Sequence, residues 1–276
     1  MPSLFHRLRV ILASIVVCYC LVVLAVTVGQ RHMIYHPPRH RPPVPGGFQE
    51  VAVEIDDGSL VAWYRPAQDG GPTVAFFNGN AGSLPGAVEF TEPLARRGFG
   101  LFLASYPGYD GNPGRPTEQA LYRAGRGALD WLAGQHVMSP IIAGYSLGSG
   151  VATQLAAEQR GSALVLFAPF TSLTNVAAAR MPFLPVRWLL FDRFDNIAKI
   201  ADVRVPLLIT HGDADTTVPF AEGRQLFDAA PTAARAFYAQ HGATHMLSME
   251  PVADSIARLP ACCGEAGECG SPRTWG

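Results

Sequence analysis

Short apolar runs alternate with amphipathic segments between about Val51 and Ala257, and one long uncharged run precedes them. A continuous apolar run of about five residues is typical of a strand that is covered on both faces of a sheet. Strands that alternate with helices predict a mostly parallel sheet between helical layers. The predicted strands are 51–55, 60–64, 73–77, 100–106, 140–145, 163–168, 206–210 and 236–240, and the predicted helices are 86–97, 118–132, 147–158, 220–229 and 246–257.

The long uncharged run, residues 10–28, contains neither a charged residue nor a proline. A stretch of about 20 apolar residues is long enough to cross a bilayer. A cleaved signal peptide is the alternative, but its apolar region is usually about 7–15 residues long, and the segment 27–29 is a poor cleavage site. We therefore expect residues 1–31 to be an uncleaved single-pass anchor. Arginines are nearly balanced on its two sides, so the positive-inside rule assigns no orientation.

Three further segments differ from the strand–helix region at 50–258. Residues 32–49 are rich in proline, which predicts a stiff extended linker. The connection at about 170–203 is unusually long and apolar, which predicts a lid or cap. The Gly-rich segment 259–276 is expected to be a disordered tail. Its cysteines have no accompanying Cys or His set that would support a zinc site; they are Cys262, Cys263 and Cys269.

The composition narrows the classes of function. The chain has 276 residues, of which 49% are hydrophobic, and its formal net charge is -1. This composition allows one sizeable core. It argues against nucleic acid as a partner, because nucleic-acid-binding domains usually carry a basic face.

The clearest chemical signal is Gly144-Tyr145-Ser146-Leu147-Gly148, which follows a predicted strand and precedes a predicted helix. This G-x-S-x-G pattern is typical of a nucleophile elbow, a sharp turn that exposes its serine at the C-terminal edge of the sheet. In the alternative interpretation Ser146 only caps the helix. We expect Ser146 to be the nucleophile.

A serine hydroxyl needs a base to become a good nucleophile, and histidine is suited to that role near neutral pH. His241 directly follows the last predicted strand, whereas His245 lies in the loop before the last helix, from which its side chain can reach Ser146. His211 follows its own strand too closely to reach across. We select His245 as the base. A metal pair formed by His241 and His245 is disfavoured because no third ligand is evident.

The base in turn needs an acidic residue that orients it. Asp213 and Asp215 follow a buried strand in the segment 210–219, THGDADTTVP. Carboxylates next to a buried strand are costly without partners. Capping of a turn is a common use of aspartate. We therefore expect one carboxylate to serve the histidine and the other to cap the turn.

Three segments, GYSLG, HGDADTTVP and GATH, resemble the α/β-hydrolase superfamily of serine hydrolases, in the order Ser, Asp, His. The resemblance covers about residues 50–257 and implies that fold, with a mostly parallel central sheet flanked by helices. The family's pattern after the penultimate strand implies that Asp215 is the acidic member. We then expect Asp213 to cap the turn with a local backbone hydrogen bond.

Two further loops carry the resemblance. The loop 78–82 is similar to the family's His-Gly-Asn-Ala-Gly loop, which implies that the main-chain N–H groups of Asn80 and Leu147 form the oxyanion hole. Asn78 stands where the family has histidine, which changes how the loop is held in place. The segment 106–118 resembles a loop of membrane-anchored members, and its Asp110 replaces a small residue. We expect Asp110 to be a solvated turn residue; contact with substrate is the alternative.

Together these patterns predict a membrane-anchored serine hydrolase that acts on a small-molecule acyl substrate. Ester or thioester cleavage is the first expectation, and the apolar insertion suggests a lipid-like acyl group. Cleavage of peptide bonds is the second expectation, because serine peptidases use the same catalytic residues. A non-catalytic scaffold is a third, although no member of the triad is missing. The mechanism requires neither a cofactor nor a metal.

Overall fold

The computed structural model describes residues 4–56 and 58–259. The three cysteines of the predicted tail, Cys262, Cys263 and Cys269, lie outside the described residues. Asp57, in the turn of the predicted first hairpin, is also outside them.

One eight-stranded sheet forms the centre of the protein, with the strand order β1-β2-β4-β3-β5-β6-β7-β8. β1 and β2 form an antiparallel hairpin, β2 pairs antiparallel with β4, and all other neighbours are parallel. The strands are β1 Gln49–Ile55, β2 Gly58–Arg65, β3 Thr73–Phe77, β4 Gly100–Ala104, β5 Ile141–Tyr145, β6 Ala163–Phe167, β7 Leu207–Gly212 and β8 Arg235–Gln240. The predicted mostly parallel sheet is confirmed.

Helices lie on both faces of this sheet and in the long insertion. The helices are α1 Leu4–Ile34, α2 Leu84–Ala95, α3 Glu118–Gly134, α4 Leu147–Ala157, α5 Leu173–Arg180, α6 Val186–Leu189, α7 Asn196–Lys199, α8 Phe220–Ala229 and α9 Glu250–Arg258. A short 3-10 turn, Ile200–Asp202, follows α7. The segment 170–203 thus carries α5, α6 and α7, and we call its part from α5 through Phe191 the cap.

Two apolar cores cover the faces of the sheet. Successive side chains of a strand point to opposite faces, and β3 shows this: Ala75 and Phe77 join the core beneath α3, α4 and α8, whereas Val74 and Phe76 join the core beneath α2 and α9. Every residue of β3, β4 and β6 is buried. These three strands are therefore apolar on both faces, as the sequence pattern indicates.

The N-terminal helix α1 is long and apolar enough to cross a membrane, judged by length and composition. It continues to Ile34, three residues beyond the predicted end of the anchor at residue 31. Tyr19 Oη donates a hydrogen bond of 3.0 Å to the carbonyl oxygen of Phe183 in the cap. Arg31 pairs with Asp192 at 3.0 Å. α1 is thus in contact with the folded domain rather than separate from it.

The last helix begins later than the sequence predicts. α9 starts at Glu250, not near Met246, because the main chain of the preceding segment is bonded to side chains outside the helix. Gln240 bonds to both main-chain groups of Ser248, at 2.8 and 3.0 Å, and Leu247 N–H donates to Tyr145 Oη at 2.8 Å. The contact between Tyr145 and Leu247 joins residues that are 102 positions apart in the sequence, which a local pattern cannot reveal.

At the junction of β5 and α4, glycines allow the backbones to touch. A Cβ at Gly144 would lie 2.3 Å from the carbonyl oxygen of Gly148, and a Cβ at Gly148 would lie 2.0 Å from that of Phe77. Both distances are far below van der Waals contact. Only glycine therefore allows α4 to pack this closely on β5 and β3.

We expect Gly144→Ala to lower the free energy of unfolding by at least about 1–3 kcal/mol, because the added methyl group overpacks this contact. Gly134→Ala is the matched control, since a Cβ there has nothing within 4 Å. The control should be neutral or slightly stabilising, because alanine favours helix over glycine. Thermal unfolding of both variants measures the difference, and equal melting temperatures would contradict the steric argument.

Candidate active site

Ser146 lies in the turn between β5 and α4, with a strained backbone. Its φ of 49° and ψ of -114° lie in a region that residues with a Cβ rarely adopt. Its N–H donates to the carbonyl oxygen of Phe167 on β6 at 2.8 Å, which holds the turn against the sheet. The hydroxyl group makes no capping bond to α4. The structure therefore does not support the alternative in which Ser146 only caps the helix.

The imidazole of His245 lies between the serine and an aspartate. His245 Nε2 is 3.0 Å from Ser146 Oγ, and His245 Nδ1 is 2.7 Å from Asp215 Oδ2. The three residues are far apart in the sequence: Asp215 follows Ser146 by 69 positions, and His245 follows Asp215 by 30 positions. The structure thus brings the predicted nucleophile, base and acid into one hydrogen-bonded chain.

Asp215 is surrounded by donors. Its Oδ1 accepts bonds from the N–H groups of Thr217 and Val218, at 2.7 and 2.9 Å. Burial by itself raises the pKa of the Asp215 carboxyl, but hydrogen bonds from His211, His245 and Val218 outweigh burial and hold its pKa well below the ordinary value. Asp215 is therefore an anion over the whole physiological range, as the orienting role requires.

The imidazole of His211 contacts the carboxylate of Asp215, a role that the sequence analysis missed. Its Nε2 is 2.9 Å from the carbonyl oxygen of Val218 and 3.4 Å from Asp215 Oδ2. The ring is fully buried, and Gly223 gives it room, since a Cβ at Gly223 would lie 2.4 Å from His211 Nδ1. The prediction that His211 does not reach Ser146 agrees with this position. Its place near the end of β7, four residues before Asp215, was the available signal.

The other pair, Asp213 and His241, faces solvent. Asp213 Oδ2 is 2.9 Å from His241 Nδ1, and Asp213 Oδ1 accepts a bond of 2.7 Å from Gly242 N–H. The imidazole of His241 is 89% exposed. The expected local cap of the turn was wrong, because Asp213 instead ties its turn to the loop after β8, 29 residues away.

Tyr145 positions the loop that carries His245. Its hydroxyl group donates to the carbonyl oxygen of His245 and accepts from Leu247 N–H at 2.8 Å. Its ring also contacts the imidazole edge-to-face. Tyr145 is the variable residue before the serine in G-x-S-x-G, so the motif gives no indication of this role.

The loop after β3 lies beside the nucleophile. Asn80 and Leu147 line the same cavity as Ser146 and His245. Leu147 is the first residue of α4, where main-chain N–H groups have no partner within the helix. This arrangement is compatible with the expected oxyanion donors, whose role stays a prediction.

Side chains hold this loop in place. Asn78 Nδ2 donates to the carbonyl oxygen of Ser83 at 3.3 Å, and the carbonyl oxygen of Asn78 accepts from Tyr106 Oη at 3.0 Å. The Asn80 side chain bonds to His36 in the segment after α1: His36 N–H donates to Asn80 Oδ1 at 3.1 Å, and Asn80 Nδ2 lies 3.0 Å from His36 Nδ1. The segment that follows α1 thus contacts the expected oxyanion loop directly.

Asp110 is not the solvated turn residue that the sequence suggests. It is buried and accepts bonds from Leu84 N–H at 3.2 Å and from Ser105 Oγ at 2.7 Å. Burial raises the pKa of its carboxyl group, and these two bonds oppose the rise. Asp110 therefore fastens the start of α2 to the end of β4, and it does not line the cavity.

A cavity of about 1110 Å³ extends from Ser146 and His245. Part of its wall comes from the insertion, as the hypothesis of an acyl pocket requires. These cap residues are Leu173, Val176, Ala177, Arg180, Met181, Leu184, Val186, Leu189 and Leu190. Most of the side chains in this wall are apolar, so the cavity suits a hydrocarbon group next to Ser146.

Among known proteins, the chain is 42% identical over 212 residues to the uncharacterized protein Rv2307c of Mycobacterium tuberculosis. The matched region covers 73% of this chain and 75% of that protein. It is 31% identical over 194 residues to the lysophosphatidylserine lipase ABHD12 of Rattus norvegicus, covering 62% of this chain and 48% of that lipase. The chain therefore spans about half the length of the rat relative. No protein-family model matches the chain.

Among solved structures, an esterase of Pyrococcus furiosus superposes with a TM-score of 0.63 at 16% sequence identity, covering 81% of this chain and 98% of the esterase. At this identity the likeness concerns the fold. It agrees with the sheet and helix arrangement described above.

We expect Asp215→Asn to slow the reaction of Ser146 with an electrophilic fluorophosphonate by about 10³–10⁴-fold, because a neutral partner no longer orients His245 or stabilises its charged form. Asp213→Asn is the matched control and should keep most of the rate. The time course of covalent labelling measures both variants. Equal losses would undo the assignment of the two aspartates.

Proposed function

This chain belongs to the α/β-hydrolase superfamily of serine hydrolases, and on that premise we propose that it is a membrane-anchored hydrolase of acyl esters or thioesters. The observation that carries the proposal is the hydrogen-bonded chain Ser146–His245–Asp215 at the end of an apolar cavity. Such a chain activates a serine for attack on an acyl carbonyl.

In the proposed reaction Ser146 Oγ attacks the carbonyl carbon of the substrate while His245 Nε2 takes the hydroxyl proton. Asp215 holds His245 Nδ1–H and stabilises the imidazolium that forms. The main-chain N–H groups of Asn80 and Leu147 bind the oxyanion, and one such donor typically contributes about 3 kcal/mol. His245 then gives its proton to the leaving group. Water, activated by the same imidazole, releases the acid from the acyl-enzyme.

A long or lipid-like acyl group is the substrate class that fits this cavity. Its wall combines apolar side chains of the cap with Phe76, Phe90 and Leu247 from the hydrolase domain. Burial of apolar area there favours binding by roughly 25 cal/mol per Å². The name of the rat relative, a lysophosphatidylserine lipase, is in keeping with an acyl-lipid ester.

We place the protein at a membrane through α1. The helix has 31 residues, or about 46 Å at 1.5 Å per residue, which exceeds the hydrocarbon thickness of a bilayer. A hydrolase anchored in this way works beside the lipids that would serve as its substrates.

We expect a fluorophosphonate probe to label the wild-type protein at one serine and Ser146→Ala to abolish labelling, together with hydrolysis of p-nitrophenyl butyrate. Ser149→Ala is the matched control, since its hydroxyl is buried in α4, three residues along the chain. The control should label like the wild type. Labelling that persists in Ser146→Ala, or a wild-type protein that never labels, would favour the non-catalytic scaffold.

We expect kcat/KM for p-nitrophenyl esters to rise from acetate towards medium or long chains, because each added methylene group buries apolar surface in the cavity, worth about 0.8 kcal/mol when fully buried. Initial rates across a chain-length series, with substrate below the critical micelle concentration, measure the trend. A strict preference for acetate would count against a lipid-like substrate.

A further inference from the structure

The membrane-facing helix α1 contributes directly to the wall of the active-site cavity. Its lining residues lie along one face of its C-terminal half. They are Val23, Val26, Thr27, Gln30, Met33 and Ile34. The cavity that begins at Ser146 therefore ends against the helix that would anchor the protein, which a helix acting only as a tether does not require.

Apolar contacts join α1 to the cap at this wall. Leu184, Val186 and Leu190 form a buried cluster of the cap, and Val23 and Val26 of α1 pack against it. This cluster is separate from the two cores that cover the sheet. The cap and α1 thus share a small core of their own.

Polar contacts set the rotation of α1 about its own axis. Gln30 is buried; its Nε2 donates to the carbonyl oxygen of Leu189 at 3.1 Å, and its Oε1 accepts from Phe191 N–H at 2.8 Å. Arg31 pairs with the buried carboxylate of Asp192. Buried polar groups are costly without partners, so rotation of the helix away from this position is disfavoured. The same face of α1 therefore stays turned towards the cavity.

The contacts with the cap extend deep along the apolar run of α1. They begin at Tyr19 and reach Gln30, a distance of about 16 Å along a helix. The uncharged run ends at residue 28, so Val23 and Val26 belong to it. If α1 crosses a bilayer, the cap lies at the depth of the lipid chains or of their interface.

The outer surface of the cap fits that environment. Phe183, Trp188 and Phe191 are exposed, and Trp188 is exposed over 84% of its surface. Aromatic side chains are enriched where a protein meets the boundary between lipid and water. The main chains of Phe183 and Phe191 bond to Tyr19 and Gln30, so this surface adjoins α1, and we infer that the bilayer is its partner.

We propose that α1 is part of the acyl-binding site: the acyl chain of a membrane-resident ester occupies the cavity between Ser146 and α1 and lies against Val23, Val26 and Thr27. This inference rests on the proposed ester-hydrolase function, because it assigns the place of the acyl group in that reaction. It makes the anchor a determinant of chain-length specificity, in addition to its role in membrane attachment.

A photo-crosslinking probe tests the position of the chain directly. The probe is an alkyl fluorophosphonate with a diazirine near the end of a long alkyl chain, used on the full-length protein in lipid nanodiscs. After labelling and irradiation, peptide mass spectrometry should find crosslinks between Ser146 and residues 23–34. Labelling of Ser146 with crosslinks only to other segments would overturn the inference and leave the proposed function standing. Absence of labelling would overturn both.

Two matched substitutions in α1 test specificity. Val26→Trp fills part of the cavity, whereas Val28→Trp adds the same bulk two residues along, where Val28 is exposed and does not line the cavity. In Val26→Trp we expect the ratio of kcat/KM for p-nitrophenyl dodecanoate to that for butyrate to fall on the order of tenfold, the scale of steric discrimination in a pocket. Val28→Trp should keep the wild-type ratio.

Fluorophosphonate labelling of both variants shows that each retains an assembled site. Equal ratios in the two labelled variants and in the wild type would overturn the role of α1. If Val26→Trp does not fold, Val26→Ala replaces it: the wider wall should raise the preference for hexadecanoate over dodecanoate, and an unchanged preference would contradict the inference.

Discussion

The close contact of α4 with β5 and β3 is the constraint on which the site depends. Gly144 and Gly148 allow backbones to touch where any side chain would collide, and this contact holds Ser146 at a positive φ. The strain places the hydroxyl group outside the helix, 3.0 Å from His245 Nε2. Strain of this kind persists only when the surrounding structure over-determines it. Here the two buried cores on either side of the sheet supply that support.

The loops at the same edge of the sheet are held by side-chain hydrogen bonds, some between neighbours in the sequence and some between distant parts of the chain. Tyr145 and Gln240 hold the segment that carries His245, and His211 holds Asp215. His36, from the segment after α1, holds the side chain of Asn80. The helix α1, the cap and the central sheet therefore meet around one cavity, and the N-terminal helix takes part in the structure of the site.

Much of the architecture could be predicted from local pattern. The inner strands β3, β4 and β6 are apolar on both faces because helices cover both, so their positions are evident from hydrophobicity alone, and G-x-S-x-G identified the turn at Ser146. Long-range partners were not predictable in this way. Asp110 was expected to be solvated but is buried and accepts a bond from Leu84 N–H at the start of α2, and Asp213 was expected to cap its own turn but bonds to Gly242. In each case the deciding partner lies on another element.

The sequence by itself therefore determined the order of strands and helices, the uncharged N-terminal run, and a short set of residues with suitable chemistry. Those properties depend on the period and type of neighbouring side chains, which are local. Only the tertiary structure decided between His241 and His245, because each has an aspartate partner and only His245 also reaches the serine. It also decided that α1 borders the cavity, since packing between α1 and the cap joins segments about 160 residues apart.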